Sequence, residues 1–453
     1  MERILKRTGS MIEASRVHEI LKNYMLIDGF DFVVDLDKSK DSYLVDKTTG
    51  KKYIDFFTYF ASAPLGHNPD GLLDDEFLER LKRAAINKPS NSDLYTTEMA
   101  AFVETFSKVV KPDYMKHLFF VDGGALAVEN ALKAAFDWKV RLNKERGLGE
   151  EKGYQVIHFK KAFHGRSGYT LSLTNTFDPN KVKYFPKFKW PRITSPFLQF
   201  PVTDEVLNNV INLEKQAVRE IEEAVKNNPH DIAALIIEPV QGEGGDNHFR
   251  PEFFKELRRL ADQYEFMFIV DEVQSGMGLT GKMWAHEWYD VRPDMICFGK
   301  KTQICGFMSS DRIDMVTDNV FRVSSRINST WGGNLTDMVR SQRYLEVIRD
   351  EDLVRNAAEK GAYLKEKLHD LSVEFDGLVT NVRGKGLMLS FDLADTETRN
   401  RFIKKAQENG LIILKCGDRS VRFRPALNVT NDVIDDAVSI VTKTLEQIFA
   451  VLN

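Results

Sequence analysis

Features that would tie this sequence to a bilayer, a nucleic acid or an oxidising compartment are scarce. Of 453 residues, three are cysteine, Cys297, Cys305 and Cys416. Odd in number and widely spaced, they make no CxxC pair and no metal-ligand cluster, which excludes a disulfide framework and suits a reducing cytoplasm. A net charge of -4 gives no electrostatic reason to expect nucleic acid or an anionic membrane as partner. No apolar run is long enough to span a bilayer. The N-terminal stretch MERILKRTGSMIEASRVHEI mixes charges of both signs and lacks the apolar centre of a signal peptide. HExxH, GxSxG, GxxxxGKS/T and a strand-following GxGxxG are all missing, and the nine histidines show no ligand spacing. Those absences remove the common metalloprotease, serine-hydrolase, P-loop and dinucleotide-binding readings. Repeats and low-complexity tracts are missing too.

What is present is an ordinary globular balance, 43% apolar and 29% charged, in a chain long enough for two or more domains. Short apolar runs alternate with helical patterns through the middle, which predicts α/β units around a mainly parallel sheet. Five runs end in polar residues: LFFV at 118–121 before DGG, VIHF at 156–159 before KKAFHGR, AALII at 233–237 before Glu238, FMFIV at 266–270 before Asp271, and MICF at 295–298 before Gly299 and Lys300. Ligands of open α/β sheets bind at carboxyl ends of strands, so the five ends are expected to share one site. After DGG, Val128, Leu132, Ala135 and Phe136 fall on one helical face. From about residue 335 a charged helical stretch precedes GLVTNVRGKGLMLSFDL, read as strands with a turn. Residues 431–453 read as a helix with Ile434, Val438, Val441, Leu445, Ile448 and Leu452 on one face. The expected organisation is an N-terminal segment (1–65) with the hairpin SYLVDKTTGKKYIDFF, a large domain (66–334) and a smaller α+β domain (335–453), with the first segment packing on the last.

Each candidate residue has a plain structural reading beside a chemical one. Gly123, Gly124 and Ala125 suit a phosphate at a helix N-terminus and equally a tight strand-to-helix turn. Asp271 at a buried strand tip needs a cation or donors, such as a protonated pyridine nitrogen, or serves as a helix cap. Lys300 and Lys301 lie in the apolar, glycine-bracketed CFGKKTQICGFM; desolvation would make one a neutral nucleophile, and periodicity does not choose between them. Phe163, His164 and Arg166 put a flat ring, an imidazole and a guanidinium into one loop. Glu243 in GEGG, Arg422 in SVRFRP, and Thr330 beside Trp331, Gly332 and Gly333 are far apart in sequence, with no local reason to be joined.

The order of these pieces is more informative than any one. The phosphate-turn candidate, AFHGRSGYTLSLTNT, EPVQGEGG, VDEVQSGMG, PDMICFGK and STWGGN follow one another over most of the chain, from about residue 50. That series resembles the class III, pyridoxal-phosphate-dependent aminotransferases of fold type I. Within that family DGGALAVENALKAAFDWK, FGKKTQICG and STWGGN are most similar to the lysine-specific members. The resemblance implies that Lys300 forms a Schiff base with the aldehyde of pyridoxal 5'-phosphate and that Lys301 is a neighbour. It likewise implies Asp271 at the pyridinium nitrogen, Gln274 near the cofactor hydroxyl and the acid substrate, and Phe163 stacked on the ring. Gly124 and Ala125 become the phosphate turn, and Thr330 reaches the phosphate from the other subunit of a homodimer. Ala125 departs from the serine or threonine of many members, and KKTQICG departs from their glycine-rich run. The implied reaction moves the terminal amine of L-lysine to 2-oxoglutarate, leaving 2-aminoadipate 6-semialdehyde and L-glutamate. In it Arg166 holds the far carboxylate, while Glu243 and Arg422 close on each other for one substrate and part for the other. Asn328 and residues 60–63 are expected at the pocket wall. Ornithine or 4-aminobutyrate as amine donor, or a non-catalytic relative of the same fold, are the alternatives.

Overall fold

The computed structural model describes residues 12–450. The first eleven residues of the N-terminal stretch, and Leu452 of the closing helical face, lie outside the described residues.

The strands in chain order are β1 (Tyr43–Val45), β2 (Lys52–Asp55), β3 (Met115–Val121), β4 (Gln155–Phe159), β5 (Arg192–Ile193), β6 (Ile232–Ile237), β7 (Val240–Gln241), β8 (Asn247–His248), β9 (Met267–Asp271), β10 (Met295–Phe298), β11 (Cys305–Ser310), β12 (Thr380–Lys385), β13 (Met388–Asp392), β14 (Leu411–Ile412), β15 (Leu414–Cys416) and β16 (Ser420–Phe423). All five apolar runs of the middle region became strands of one seven-stranded sheet, ordered β3-β11-β10-β9-β6-β4-β5. Every residue of β6, β9 and β10 is buried, as expected of parallel strands covered on both faces. Helix Gly124–Glu145 covers one face: Val128, Leu132, Ala135 and Trp138 pack with Val156, Ala234, Ile269 and Cys297. Helix Pro251–Gln263 brings Phe253, Phe254, Leu257 and Leu260 to the other.

The longest strand with no counterpart in the sequence reading is β11 (Cys305–Ser310). β11 runs antiparallel between β10 and β3. Its glycine and two serines hide it from a hydrophobicity pattern. Gly306 is required there, since a Cβ would stand 2.0 Å from the Phe119 carbonyl oxygen.

The hairpin read around TTG is β1 and β2, with Val45 opposite Lys52. β2 then pairs in parallel with β14, so the N-terminal segment joins the C-terminal region. A four-stranded antiparallel sheet, β12-β13-β16-β15, forms the rest of that region, flanked by helices Leu353–Glu374, Thr396–Asn409 and Asn431–Phe449. The last buries Ile434, Val441, Leu445 and Ile448 as its spacing predicts, while Val438 is half-buried. Helix Leu335–Asp350 packs on helices Asp75–Asn87 and Thr97–Val109 and so ties the C-terminal region to the large sheet's side. No helix among the described residues is long and apolar enough to cross a membrane.

The two regions meet at glycines. A Cβ on Gly361 would lie 2.1 Å from the backbone of Gly386, and one on Gly386 would lie 2.4 Å from the Thr280 backbone. Overpacking there has no flexible side chain to absorb it. Gly361→Ala is therefore expected to cost about 1–3 kcal/mol, seen as a lower urea midpoint. Gly29→Ala, with nothing within 4 Å of the new methyl, should leave the midpoint unchanged.

Candidate active site

The strand ends do converge. A cavity of about 700 Å³ is lined by Gly124 and Ala125 after β3, Phe163 and Arg166 after β4, Glu238 and Glu243 after β6, Asp271 and Gln274 at the end of β9, and Lys300 after β10.

The two adjacent lysines part company. Lys300 has a left-handed backbone, φ 54°, a conformation that a non-glycine residue keeps only when its surroundings impose it. Its side chain lines the cavity. Lys301 is buried outside it, Nζ donating to the Gln274 carbonyl at 2.7 Å. Burial, with Arg422 and Arg424 nearby, pulls the Lys300 amine down to about 8, against the opposing pull of Asp271 and Glu238. Burial pushes Lys301 well below the usual range too, with the Lys300 charge adding to it.

Asp271 is 5% exposed. Its Oδ2 lies 2.8 Å from His164 Nδ1, and its Oδ1 accepts the Val273 N–H at 3.1 Å. His164 thus orients this carboxylate; the sequence placed it in the right loop without a partner. Glu238 is a second residue whose role the sequence left unread. Its Oε1 accepts the Phe163 N–H at 2.9 Å and its Oε2 the Gly242 N–H at 3.1 Å. Burial, and the nearby Asp271 charge, raise its pKa well above the carboxylate range. One side chain therefore ties the aromatic loop to the GEGG loop.

At the opposite end, helix Gly124–Glu145 starts at Gly123 (φ 95°) with no side chain capping its first turn. Its open N–H groups and dipole favour an anion. Ala125 is packed hard: a Cβ on Gly165 would fall 2.6 Å from the Ala125 methyl. Gln274 is fixed against Gly242, where a Cβ would meet Gln274 Cγ at 2.8 Å. Of residues 60–63, Ser62 reaches the cavity. Just before it, Thr58–Ala61 run left-handed, φ 41° to 61°, held by Asp55 Oδ1 on the Phe57 and Thr58 N–H groups and by Thr58 Oγ1 on the Arg424 carbonyl.

The C-terminal region packs on the loop that carries Glu243. Buried Arg424 pairs with Asp246 at 2.5 Å, Arg383 donates to the Gly245 and Asp246 carbonyls, and the Gly417 N–H donates to the Glu243 carbonyl at 2.8 Å. Arg422 arrives on β16, 4% exposed, with Nε and Nη1 free of partners among the described residues. Glu243 is not closed on it. Glu243 Oε1 takes Lys181 Nζ at 2.5 Å and Thr176 Oγ1 at 2.8 Å, while Oε2 is buried without a partner. Asn328 and Thr330 are exposed and do not line this chain's cavity; the Thr330 carbonyl accepts from Ser90 Oγ at 2.5 Å. The expected pocket-wall position of Asn328 is therefore not found within one chain.

The Aminotransferase class-III family model matches residues 28–445. The chain belongs to this family. It is 53% identical over 438 residues, 96% of its length and 97% of the relative's, to an L-lysine-epsilon aminotransferase of Mycobacterium bovis. It is 49% identical to the enzyme of that name from Streptomyces clavuligerus, over 94% of this chain and 93% of that one. The 4-aminobutyrate aminotransferase of Homo sapiens is 30% identical over 94% of the chain and 90% of its own length. The solved lysine aminotransferase from M. tuberculosis superposes with a TM-score of 0.94, 51% identity, 96% of this chain and all of that one.

As a class III aminotransferase the chain is an enzyme whose cofactor is pyridoxal 5'-phosphate, on the fold type I α/β architecture. The cavity's donor set fits that group. It offers an uncapped helix N-terminus at one end, the Asp271 carboxylate at another, an aromatic wall at Phe163 and a lysine amine that loses its proton near neutrality.

Two consequences are measurable. Borohydride trapping of pyridoxal phosphate should label Lys300 and vanish in Lys300→Ala; a label mapped to Lys301 would overturn the assignment. In the apo protein the trapped yield should rise through about pH 8, because the neutral amine accumulates as pH climbs past its pKa.

Proposed function

We propose that this aminotransferase takes the terminal amine of L-lysine and passes it to 2-oxoglutarate, giving 2-aminoadipate 6-semialdehyde and L-glutamate. The observation that carries the reading is the single cavity where the Lys300 amine and Asp271 meet a guanidinium, Arg166, and a carboxylate, Glu243, that can turn toward Arg422. Full-length identity near 50% to L-lysine-epsilon aminotransferases supports the choice of lysine. A hydrophobic pocket separates substrates differing by one methylene by only about 1–3 kcal/mol, so shape alone would not make that choice.

When bound, pyridoxal phosphate supplies the carbonyl that carries the amino group and the electron-poor ring that accepts the C–H electron pair. In this assignment the N–H groups at Gly124 and Ala125 would hold its phosphate, Asp271 would pair with its ring nitrogen, Phe163 would stack on its ring and Gln274 would serve its hydroxyl, all of them lining the cavity. His164 keeps the Asp271 carboxylate in place. Lys300, neutral above about pH 8, takes the proton from the substrate carbon that bears the amine and returns it on the far side of the transfer.

The two substrates make opposite demands. Lysine enters with its distal ammonium at the reacting end and its single α-carboxylate far away, at Arg166. 2-Oxoglutarate places one carboxylate near and one far. The near wall must then be cationic for the second substrate and neutral for the first. Arg422 and Glu243 supply both conditions: paired they cancel, and parted they leave Arg422 for the near carboxylate.

A homodimer completes this reading. Thr330 and Asn328 are exposed and turned away from their own chain's cavity, so they serve the site of a second copy. The adjacent Leu94 and Tyr95 are 65% and 81% exposed, apolar side chains that a second copy would cover. Three unpaired cysteines, Cys297, Cys305 and Cys416, fit a cytoplasmic setting.

Two measurements test the proposal. In a panel of L-lysine, ornithine and 4-aminobutyrate with 2-oxoglutarate as acceptor, lysine should give the highest kcat/KM; a preference for ornithine or 4-aminobutyrate replaces lysine in the reading. Glu243→Ala should impair discrimination between the amine and keto-acid half-reactions more than cofactor retention. Equal loss of cofactor and both half-reactions would contradict the roles given to Glu243 and Arg422.

A further inference from the structure

We infer that Lys181 is a positioning residue of the substrate switch: it holds Glu243 off Arg422 and so keeps Arg422 open for a dicarboxylate. The inference rests on the roles proposed above for Glu243 and Arg422.

Two unsatisfied groups of opposite charge face the same region. Among the described residues Glu243 Oε2 is buried without a partner, and so are Nε and Nη1 of Arg422. Unpaired buried charges are costly, so these two would close on each other unless something holds them apart. The restraint is visible on the other oxygen. Oε1 of Glu243 is held by Lys181 Nζ at 2.5 Å and Thr176 Oγ1 at 2.8 Å. The Glu243 carboxylate therefore has one cationic partner in place, Lys181, and a second cation, Arg422, near enough to feel its charge. A carboxylate with two partners and a flexible stem gives a two-state element that ligands can bias.

Lys181 is built to stay whichever way Glu243 turns. It ends the short turn Pro179–Lys181, in which Asp178 caps the Asn180 N–H and Thr176 Oγ1 accepts the Asp178 N–H. Its ammonium lies 5.7 Å from the Phe163 ring centroid and 5.5 Å from that of Phe177, close enough for cation–π attraction. At 27% side-chain exposure it also reaches water. Releasing Glu243 therefore leaves Lys181 solvated and stacked, and the two states remain close in free energy. Arg422 has no such refuge: it is 4% exposed and its donors gain a partner only from Glu243 or from an incoming carboxylate.

The consequence is directional. Without Lys181, Glu243 is restrained by Thr176 alone and swings to Arg422. The near wall becomes neutral, which suits the lysine half-reaction and opposes the keto-acid one. Lys181→Met is expected to raise KM for 2-oxoglutarate, and the Kd of the unreactive dicarboxylate glutarate measured by calorimetry on the holoenzyme, by about 10-fold. KM for L-lysine should move less than about twofold. Lys181→Arg, which keeps the charge, should restore most of the loss, and Lys181→Met should add nothing in a Glu243→Gln background. A merely structural role would lower both half-reactions in step with the melting temperature, and Arg would not rescue it; that result overturns the inference. If Glu243→Gln separates the half-reactions but Lys181→Met leaves glutarate binding unchanged, the inference fails while the Glu243–Arg422 reading stands. If Glu243→Gln separates nothing, both fail together.

Discussion

Burial of the Lys300 amine, with two guanidinium groups, Arg422 and Arg424, opposing its charge, makes it give up its proton near pH 8 rather than at its ordinary 10.5. That single desolvated amine sets requirements on everything around it. The cavity has to be walled by distant parts of the chain, because no local segment can exclude water on all sides. Here the walls are the strand ends of the large sheet, with Ser62 and Gln303, and the arginines of and after β16 are near enough to act on the Lys300 charge. The Asp246–Arg424 pair, fully buried, binds the loop after β6 to the C-terminal region, and Arg383 repeats the connection through backbone carbonyls. Buried charges of this kind add little net stability but are costly to break, so they fix a geometry.

Charge in the cavity is arranged by partner rather than by count. Asp271 has a histidine and a backbone N–H to stay oriented. Glu238, deeper and with only backbone donors, is pushed toward its neutral form. Glu243 pairs with a lysine at the rim, while its charge still acts on a buried arginine, Arg422. Three carboxyl groups after neighbouring strands thus have three different tasks, which their surroundings and not their chemistry assign. A site that must accept first a distal ammonium and then a carboxylate at one place needs such a movable charge.

Much of this architecture was legible in advance because parallel strands buried on both faces leave continuous apolar runs, and all five runs fell in one sheet. The hairpin around TTG and the paired strands at 380–392 were legible through turn chemistry. β11 was not, since Gly306 and two serines break its pattern and its identity comes only from the strands on either side. The choice between Lys300 and Lys301 was equally closed to pattern reasoning. It is made by a left-handed residue at the end of β10, which sends one ammonium into the cavity and the other to the Gln274 carbonyl.

By itself the sequence determined the five buried strands of the large sheet, the hairpins and the closing helix, which residues carry charge at strand ends, and the family to which their order belongs. Those are consequences of local periodicity and turn preference, written within a few residues of each other. Tertiary structure alone decided that His164 meets Asp271, that Glu238 ties two loops, and that Glu243 stands with Lys181 while Arg422 waits unpaired. Through-space pairing and loss of water depend on segments 62 to 107 residues apart being brought within about 3 Å, and no local pattern encodes a distance of that kind.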